Sequence, residues 1–417
     1  MPHNISGFTK PELKSWLWLL KRRTETSAIR CLERRMSWIN WLVTPEFKKE
    51  MKGAAKGLLQ KLEKGVKSLN SEADYSVYTG SIGIYYLYWF LNKKTGRPIP
   101  PDRVQMLLAT CKTTLKGKRF SFLCGDAGPL VMALVTDQSL VDKKIKIGCL
   151  RKLIDLKKLV LARDPETANE VLYGRVGYLW SLLFLNSHAE SDDLKVESTF
   201  ISQIIASIID SGLGRHKDRL YYEWHEKEYI GAAHGYIGIL YVLLKAKQHW
   251  APGQEALIRK TLEWLISKQR FPSGNFKSSV GSTDDRLIHW CHGSPGAVFL
   301  LLEAATVFGS QEFVNAALEC GEVTWARGLL KKGYGICHGV SGNAYSLMAL
   351  YAHTQDELWL RRSHSFAEYC FHYGTKNERE PDRPMSLFEG LAGVVYMLYD
   401  FSEAQPGAWP KFPAFQL

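Results

Sequence analysis

The chain has 417 residues, 54 of them basic and 42 acidic, for a formal charge of +12. Hydrophobic residues make up 46% and aromatic residues 12%, enough for a large buried core, yet no run approaches the roughly 18 apolar residues of a membrane span. No nucleic-acid-binding pattern accompanies the basic excess, so acidic ligands or phosphorylated protein segments are the expected partners. The eight cysteines show no disulfide framework, which points to a reducing, cytoplasmic compartment.

Residues 1–45 read as a separate basic extension. Trp16 to Leu20 is too short for the apolar core of a signal peptide, and Lys21-Arg22-Arg23 follows at once. Pro2 excludes N-myristoylation, which needs glycine there. Arg22, Arg23, Arg30, Arg34 and Arg35 lie among Trp16, Trp18, Trp38 and Trp41. That composition suits a helix lying on an acidic membrane surface, such as the inner face of the plasma membrane. The alternative is a helix packed on the rest of the chain with its basic side solvated.

Residues 46–417 carry a repeat. Phe47 to Leu69 places Met51, Leu58, Leu59, Leu62, Val66 and Leu69 on one stripe, which predicts an amphipathic helix. A Gly-x-x-Gly element then recurs seven times, beginning at Gly80, Gly125, Gly174, Gly235, Gly293, Gly339 and Gly390. The first glycines are 45, 49, 61, 58, 46 and 51 residues apart, a period that signals a repeat architecture. After each element comes a run apolar nearly all round, such as IYYLYWFL after Gly83, which predicts a fully buried helix. Glu255 to Gln269 and Glu357 to Tyr373 are amphipathic like the first. Seven pairs of outer and inner helices predict an all-α fold, a seven-fold α/α barrel. Its inner helices would start at one mouth, where their free N–H groups favour anions.

Two of the elements are preceded by chemistry-bearing residues: Trp290-Cys291-His292-Gly293 and Ile336-Cys337-His338-Gly339. Equivalent positions in repeats face the same way, so both cysteines are expected at one mouth. His234, His292 and His338 each stand immediately before a first glycine. Thiolate and imidazole suit zinc, and three protein ligands with an open fourth position define a catalytic site. Spacing alone leaves open which of the five side chains would bind. Asp126 and Arg175, inside their elements, are secondary candidates for lining the mouth. For Asp126 the plainer reading is a carboxylate favoured at a helix start.

At this point the chain resembles the lanthionine synthetase C-like proteins, relatives of the bacterial lanthipeptide cyclases. The phrases that carry the resemblance are HWCHGSPG, KKGYGICHGVSGNAY, AAHGYIG, FLCGDAG, LYGRVGY, SLFEGLAG and the closing FPAFQL. They span roughly residues 48 to 417, and the eukaryotic branch is the more similar. The resemblance implies zinc on Cys291, Cys337 and His338, with His292 not a ligand. It implies that His234 is the acid/base histidine and that Lys332 and Glu389 contact glutathione. The implied activity is thiol addition to dehydroalanine or dehydrobutyrine residues in proteins, after elimination of phosphate from phosphoserine or phosphothreonine. The family's glutathione site also draws on a basic residue near the N-terminus, and no residue of 1–45 is assigned to that role.

Competing readings remain. A glutathione- and zinc-binding adaptor without catalysis, signalling at the membrane or with kinases, would carry the same residues. A zinc prenyltransferase-like barrel also activates a thiol, but the seven Gly-x-x-Gly elements argue against it. A glycosidase would need a carboxylate pair, and Glu389 has no clear partner in the sequence.

Overall fold

The computed structural model describes residues 43–66, 74–162, 166–375 and 379–413. The expected basic extension therefore lies outside the described residues, except for its last three positions. Leu69 of the first stripe and the end of FPAFQL lie outside them too. Among the described residues the fold is all-helical, with isolated bridges but no strand. No helix among them is long and apolar enough to cross a membrane.

Among the described residues, fourteen of the longer helices alternate between two layers. The outer ones are α1 (Pro45–Val66), α3 (Pro101–Ala109), α5 (Lys143–Asp155), α7 (Ser198–Ser211), α9 (Gln254–Lys268), α11 (Gln311–Arg327) and α13 (Glu357–Cys370). The inner ones are α2 (Ser81–Thr95), α4 (Ala127–Val135), α6 (Arg175–His188), α8 (Tyr236–Lys245), α10 (Ser294–Phe308), α12 (Val340–Thr354) and α14 (Leu391–Ser402). The layers follow from hydrophobic pattern. On α1, Phe47, Met51, Ala55, Leu59, Leu62 and Val66 are buried while Lys52, Lys56 and Lys64 are exposed, a stripe of helical period. On α2 every residue from Ile82 to Leu91 is buried, so that stretch has no solvent face and only the last turn reaches water. Two outer helices start with an aspartate cap: Asp142 accepts from Lys144 N and Asp356 from Leu358 N.

The ring closes through main-chain hydrogen bonds at the ends of the inner helices. Tyr78 N donates to Leu123 O at 3.0 Å, Phe122 N to Gly177 O at 3.1 Å and Val171 N to Ala233 O at 3.2 Å. Ala233 N reaches Cys291 O at 3.5 Å, Cys291 N reaches Cys337 O at 3.2 Å and Cys337 N reaches Phe388 O at 2.8 Å. Phe388 N then returns to Tyr78 O at 3.1 Å, which joins the seventh repeat to the first. The glycines are needed for this approach rather than for left-handed backbone. A Cβ at Gly83 would strike the Val77 carbonyl and come within 3.0 Å of Leu387 Cβ from the seventh repeat. Gly293 is the exception: its φ of +113° itself demands glycine.

The segment after α14 turns back into the barrel. Phe412 is buried, with ring centroids 4.9 Å from Trp290, 5.3 Å from Phe299, 5.8 Å from Tyr345 and 6.3 Å from Phe388. Trp290 precedes Cys291, and Phe388 O holds Cys337 N, so Phe412 forms part of the floor beneath both cysteines.

Candidate metal centre and active site

Each repeat presents two residues just before its first glycine. The position two before it holds Tyr78, Leu123, Leu172, Ala233, Cys291, Cys337 and Phe388 in turn. The position one before it holds Thr79, Cys124, Tyr173, His234, His292, His338 and Glu389. The closed ring directs both sets to the same end of the barrel.

Cys291, Cys337 and His338 come together there, with their ligand atoms all within 4.8 Å of one another. Both cysteines are buried and His338 is half-buried. The donors fit a metal. A tetrahedral ion with bonds near 2.3 Å needs ligand atoms roughly 3.8 Å apart, which small side-chain adjustments supply. Burial, followed by the adjacent Cys291 thiol, pushes the Cys337 thiol well above its ordinary range. Burial pulls the His338 imidazole down, but the Cys337 contact outweighs it and its pKa is raised. The buried Cys337 thiol, with a second thiol beside it, resists ionisation until a cation compensates the charge, which suits a metal ligand.

Three neighbours frame this cluster. Tyr78 stands beside the Cys337 thiol and stacks on Phe388, with centroids 4.9 Å apart. Its phenol is pushed well above 10 by burial first and by both cysteines next. His289 is buried with Nδ1 3.9 Å from Cys291 Sγ, and burial, then Lys332, lowers its pKa to about 3. His292 stays outside the ligand group. Its Nδ1 is buried without a hydrogen-bond partner, and burial, then His234, lowers its pKa to about 4.

His234 is set on the next repeat round, its ring centroid 6.4 Å from that of His292. Its Nδ1 lies 2.7 Å from Glu170 Oε2. Glu170 is buried and also accepts from Leu172 N and Tyr173 N, so it is fully oriented. A carboxylate only accepts, which commits Nδ1 as the donor and frees Nε2 for exchange. Trp224 stacks on the imidazole at 4.5 Å and Tyr173 lies nearly parallel to it at 6.3 Å.

Lys332 and Glu389 line one cavity of about 170 Å³ with His338, Arg379, Pro381 and Asp382. Asp126 and Arg175 depart from the expected mouth-lining roles. Arg175 is buried and donates to Val160 O at 2.8 Å, Thr167 O and Ala162 O at 3.0 Å, and Asn169 Oδ1 at 3.2 Å. Its fork fastens Val160, Ala162, Thr167 and Asn169 to the start of the inner helix. Asp126 is also buried and accepts from Tyr75 Oη at 2.7 Å, Gly117 N at 2.6 Å and Lys116 N at 3.4 Å. Arg175 thus reaches back into its own repeat, and Asp126 holds its own loop together with Tyr75 of the preceding repeat.

Sequence reasoning missed Tyr78, Glu170, His289, Arg379 and Asp382. Tyr78 was findable, because it occupies the same register as the two cysteines. Glu170 was not, since it belongs to a different repeat from the histidine it orients.

An all-α toroid with three side chains at one mouth that could hold a metal ion defines the class. The family model described as Lanthionine synthetase C-like protein matches residues 71–414, and the chain belongs to that family. It is similar to "Glutathione S-transferase LANCL1" of Danio rerio, with 40% identity over 385 residues, 90% of this chain and 93% of that protein. It is also similar to "LanC-like protein GCL1" of Arabidopsis thaliana, with 32% identity over 377 residues, 85% of this chain and 84% of that one. Among solved structures, "Nisin cyclase" superposes with a TM-score of 0.64 at 19% identity, covering 85% of this chain and 94% of that one. At that identity the likeness supports the fold.

Proposed function

We propose that the chain is a zinc-dependent transferase that adds glutathione to dehydroalanine or dehydrobutyrine residues in proteins. The observation that carries this reading is the side-by-side placement of the three-donor cluster, the oriented His234 and the charged cavity. It is supported by the family and by the name of the Danio rerio relative. Zinc on Cys291, Cys337 and His338 would supply a thiol held as thiolate in the fourth position.

The chain's own residues do the rest. Glutathione carries two carboxylates and one ammonium group. Lys332 offers a cation for the former and Glu389 a carboxylate for the latter, while Arg379 and Asp382 on the cavity wall pair with each other at 3.3 Å. When sulfur bonds to the β-carbon, the alkene electron pair moves onto the α-carbon and its carbonyl. His234 Nε2 would take up the proton that the thiol loses on becoming thiolate and then deliver it to the α-carbon, while Glu170 accepts from Nδ1–H and holds the ring in place. The same histidine would take the α-proton of a phosphorylated residue as phosphate leaves with its electron pair, generating the alkene.

The test is mass spectrometry of a dehydroalanine peptide incubated with protein, zinc and glutathione. A mass gain of one glutathione, lost in Cys337→Ala with the fold retained, is expected. Full activity in zinc-free protein would overturn the reading. Glutathione binding without any modified peptide would favour the adaptor reading instead.

A further inference from the structure

The loop Lys116-Gly117-Lys118-Arg119 puts three cations in close succession, with Lys118 and Arg119 exposed. Asp126 fixes that loop rather than lining the mouth. Its carboxylate takes the Lys116 and Gly117 N–H groups, and its own N–H donates to Arg119 O at 2.8 Å. Lys116 Nζ lies 5.8 Å from the centroid of the Tyr75 ring, whose hydroxyl also bonds Asp126. The Arg119 guanidinium lies 5.0 Å from the centroid of the Tyr173 ring, and Tyr173 is the near-parallel neighbour of His234. Among the described residues, neither Lys118 nor Arg119 forms an ion pair.

Position in the ring matters here. Tyr173 belongs to the third repeat, whereas the Lys332–Glu389 cavity is framed by the sixth and seventh. The two cationic regions therefore stand about half a turn apart across the mouth, with His234 on the repeat next to Tyr173. A guanidinium stacked on a ring keeps its N–H fork free for a doubly hydrogen-bonded anion. One anionic tripeptide does not account for both regions.

We propose that Arg119, on its Asp126-pinned loop, receives the phosphoryl group of a phosphoserine or phosphothreonine side chain in the protein substrate. This deepens the transferase reading and rests on it for the identity of the substrate. The loop supplies the pole for the peptide, and the Lys332 side supplies the pole for the thiol. Removal of the phosphoryl group would discharge the loop's ligand while the alkene remains beside His234.

The test is fluorescence anisotropy of a labelled phosphoserine peptide on the zinc-loaded full chain, without glutathione. Binding above the unphosphorylated peptide is expected, with a loss of about 10- to 100-fold in Arg119→Ala, the size of a charge-assisted contact. Arg119→Lys should fall between the two, because it keeps the charge but not the fork. Lys49→Ala removes the same charge from the exposed face of α1 and should bind as the native chain does. Equal binding by Arg119→Ala and the native chain would overturn the proposal. So would an equal loss in Lys49→Ala, or displacement by free phosphate as effective as by the phosphopeptide. The measurement needs no catalysis, so failure to form a glutathione adduct would remove the transferase reading without deciding this one.

Discussion

The imidazole of His234 can exchange a proton with substrate only if its other nitrogen is committed. Glu170 supplies that commitment from a site 64 residues earlier, and two main-chain N–H groups hold it in place. Replacing Glu170 with Gln keeps the shape but lets an amide present either face to Nδ1. The expected result is a fall of roughly 10²-fold in kcat for adduct formation. KM for glutathione should stay near the native value, since the thiol's cavity lies with the sixth and seventh repeats. Glu170→Asp should recover part of the loss. An unchanged kcat in the Gln variant would show that Glu170 does not position the ring. Metal content measured on the same samples separates this from damage to the cysteine cluster.

At the scale of the element, glycine has two opposite meanings in this chain. Gly177 sits where a Cβ would strike the Val171 carbonyl and lie 2.7 Å from Ser121 Cβ of the preceding repeat. Both obstacles are fixed by ring contacts, so the substitution Gly177→Ala must spread two repeats apart. A destabilisation of about 3 kcal/mol is expected, among the larger single-residue effects. Gly53 lies on the exposed face of α1, inside the helix, and an added methyl group there would meet nothing within 4 Å. There Gly53→Ala should raise stability by about 0.5–1 kcal/mol, because alanine loses less backbone freedom on folding. Thermal melting of the two variants checks both signs, and a neutral Gly177→Ala would mean the ring is looser than its hydrogen bonds imply.

The whole molecule is tied together at the other ends of its inner helices by one buried carboxylate. Asp400 on α14 accepts from Tyr345 Oη at 3.1 Å and from Lys411 N at 3.2 Å, and pairs with Lys94 Nζ at 3.3 Å. It thereby joins the first, sixth and seventh repeats to the segment that carries Phe412. Burial raises its pKa to about 6 despite Lys94. A carboxyl whose folded pKa is raised adds stability that is present below 3.8 and lost as pH rises through about 6. By neutral pH the loss is roughly 3 kcal/mol. Asp400→Asn keeps the volume and an acceptor for Lys411 N–H without the buried charge. It should melt above the native chain at pH 7, with the gap closing toward pH 4. A pH-independent gap would show that Asp400 does not titrate in that window.

Much of this was legible before folding. The period of the Gly-x-x-Gly elements, the fully apolar runs after them and the stripe on α1 determine an all-α toroid by themselves. Local register, through Cys291, Cys337 and His338, also determines which side chains can face the opening. These are properties of short stretches: helix period, the space a glycine leaves, and a side chain's direction from its place in a repeat. Tertiary structure alone decided which of those side chains meet. Ring closure set Tyr78 of the first repeat against Cys337 of the sixth, and Glu170 of the third against His234 of the fourth. It also turned Asp126 and Arg175 into anchors of their own loops. Such pairings depend on the closing contacts between repeats, and no repeat encodes the identity of its neighbour.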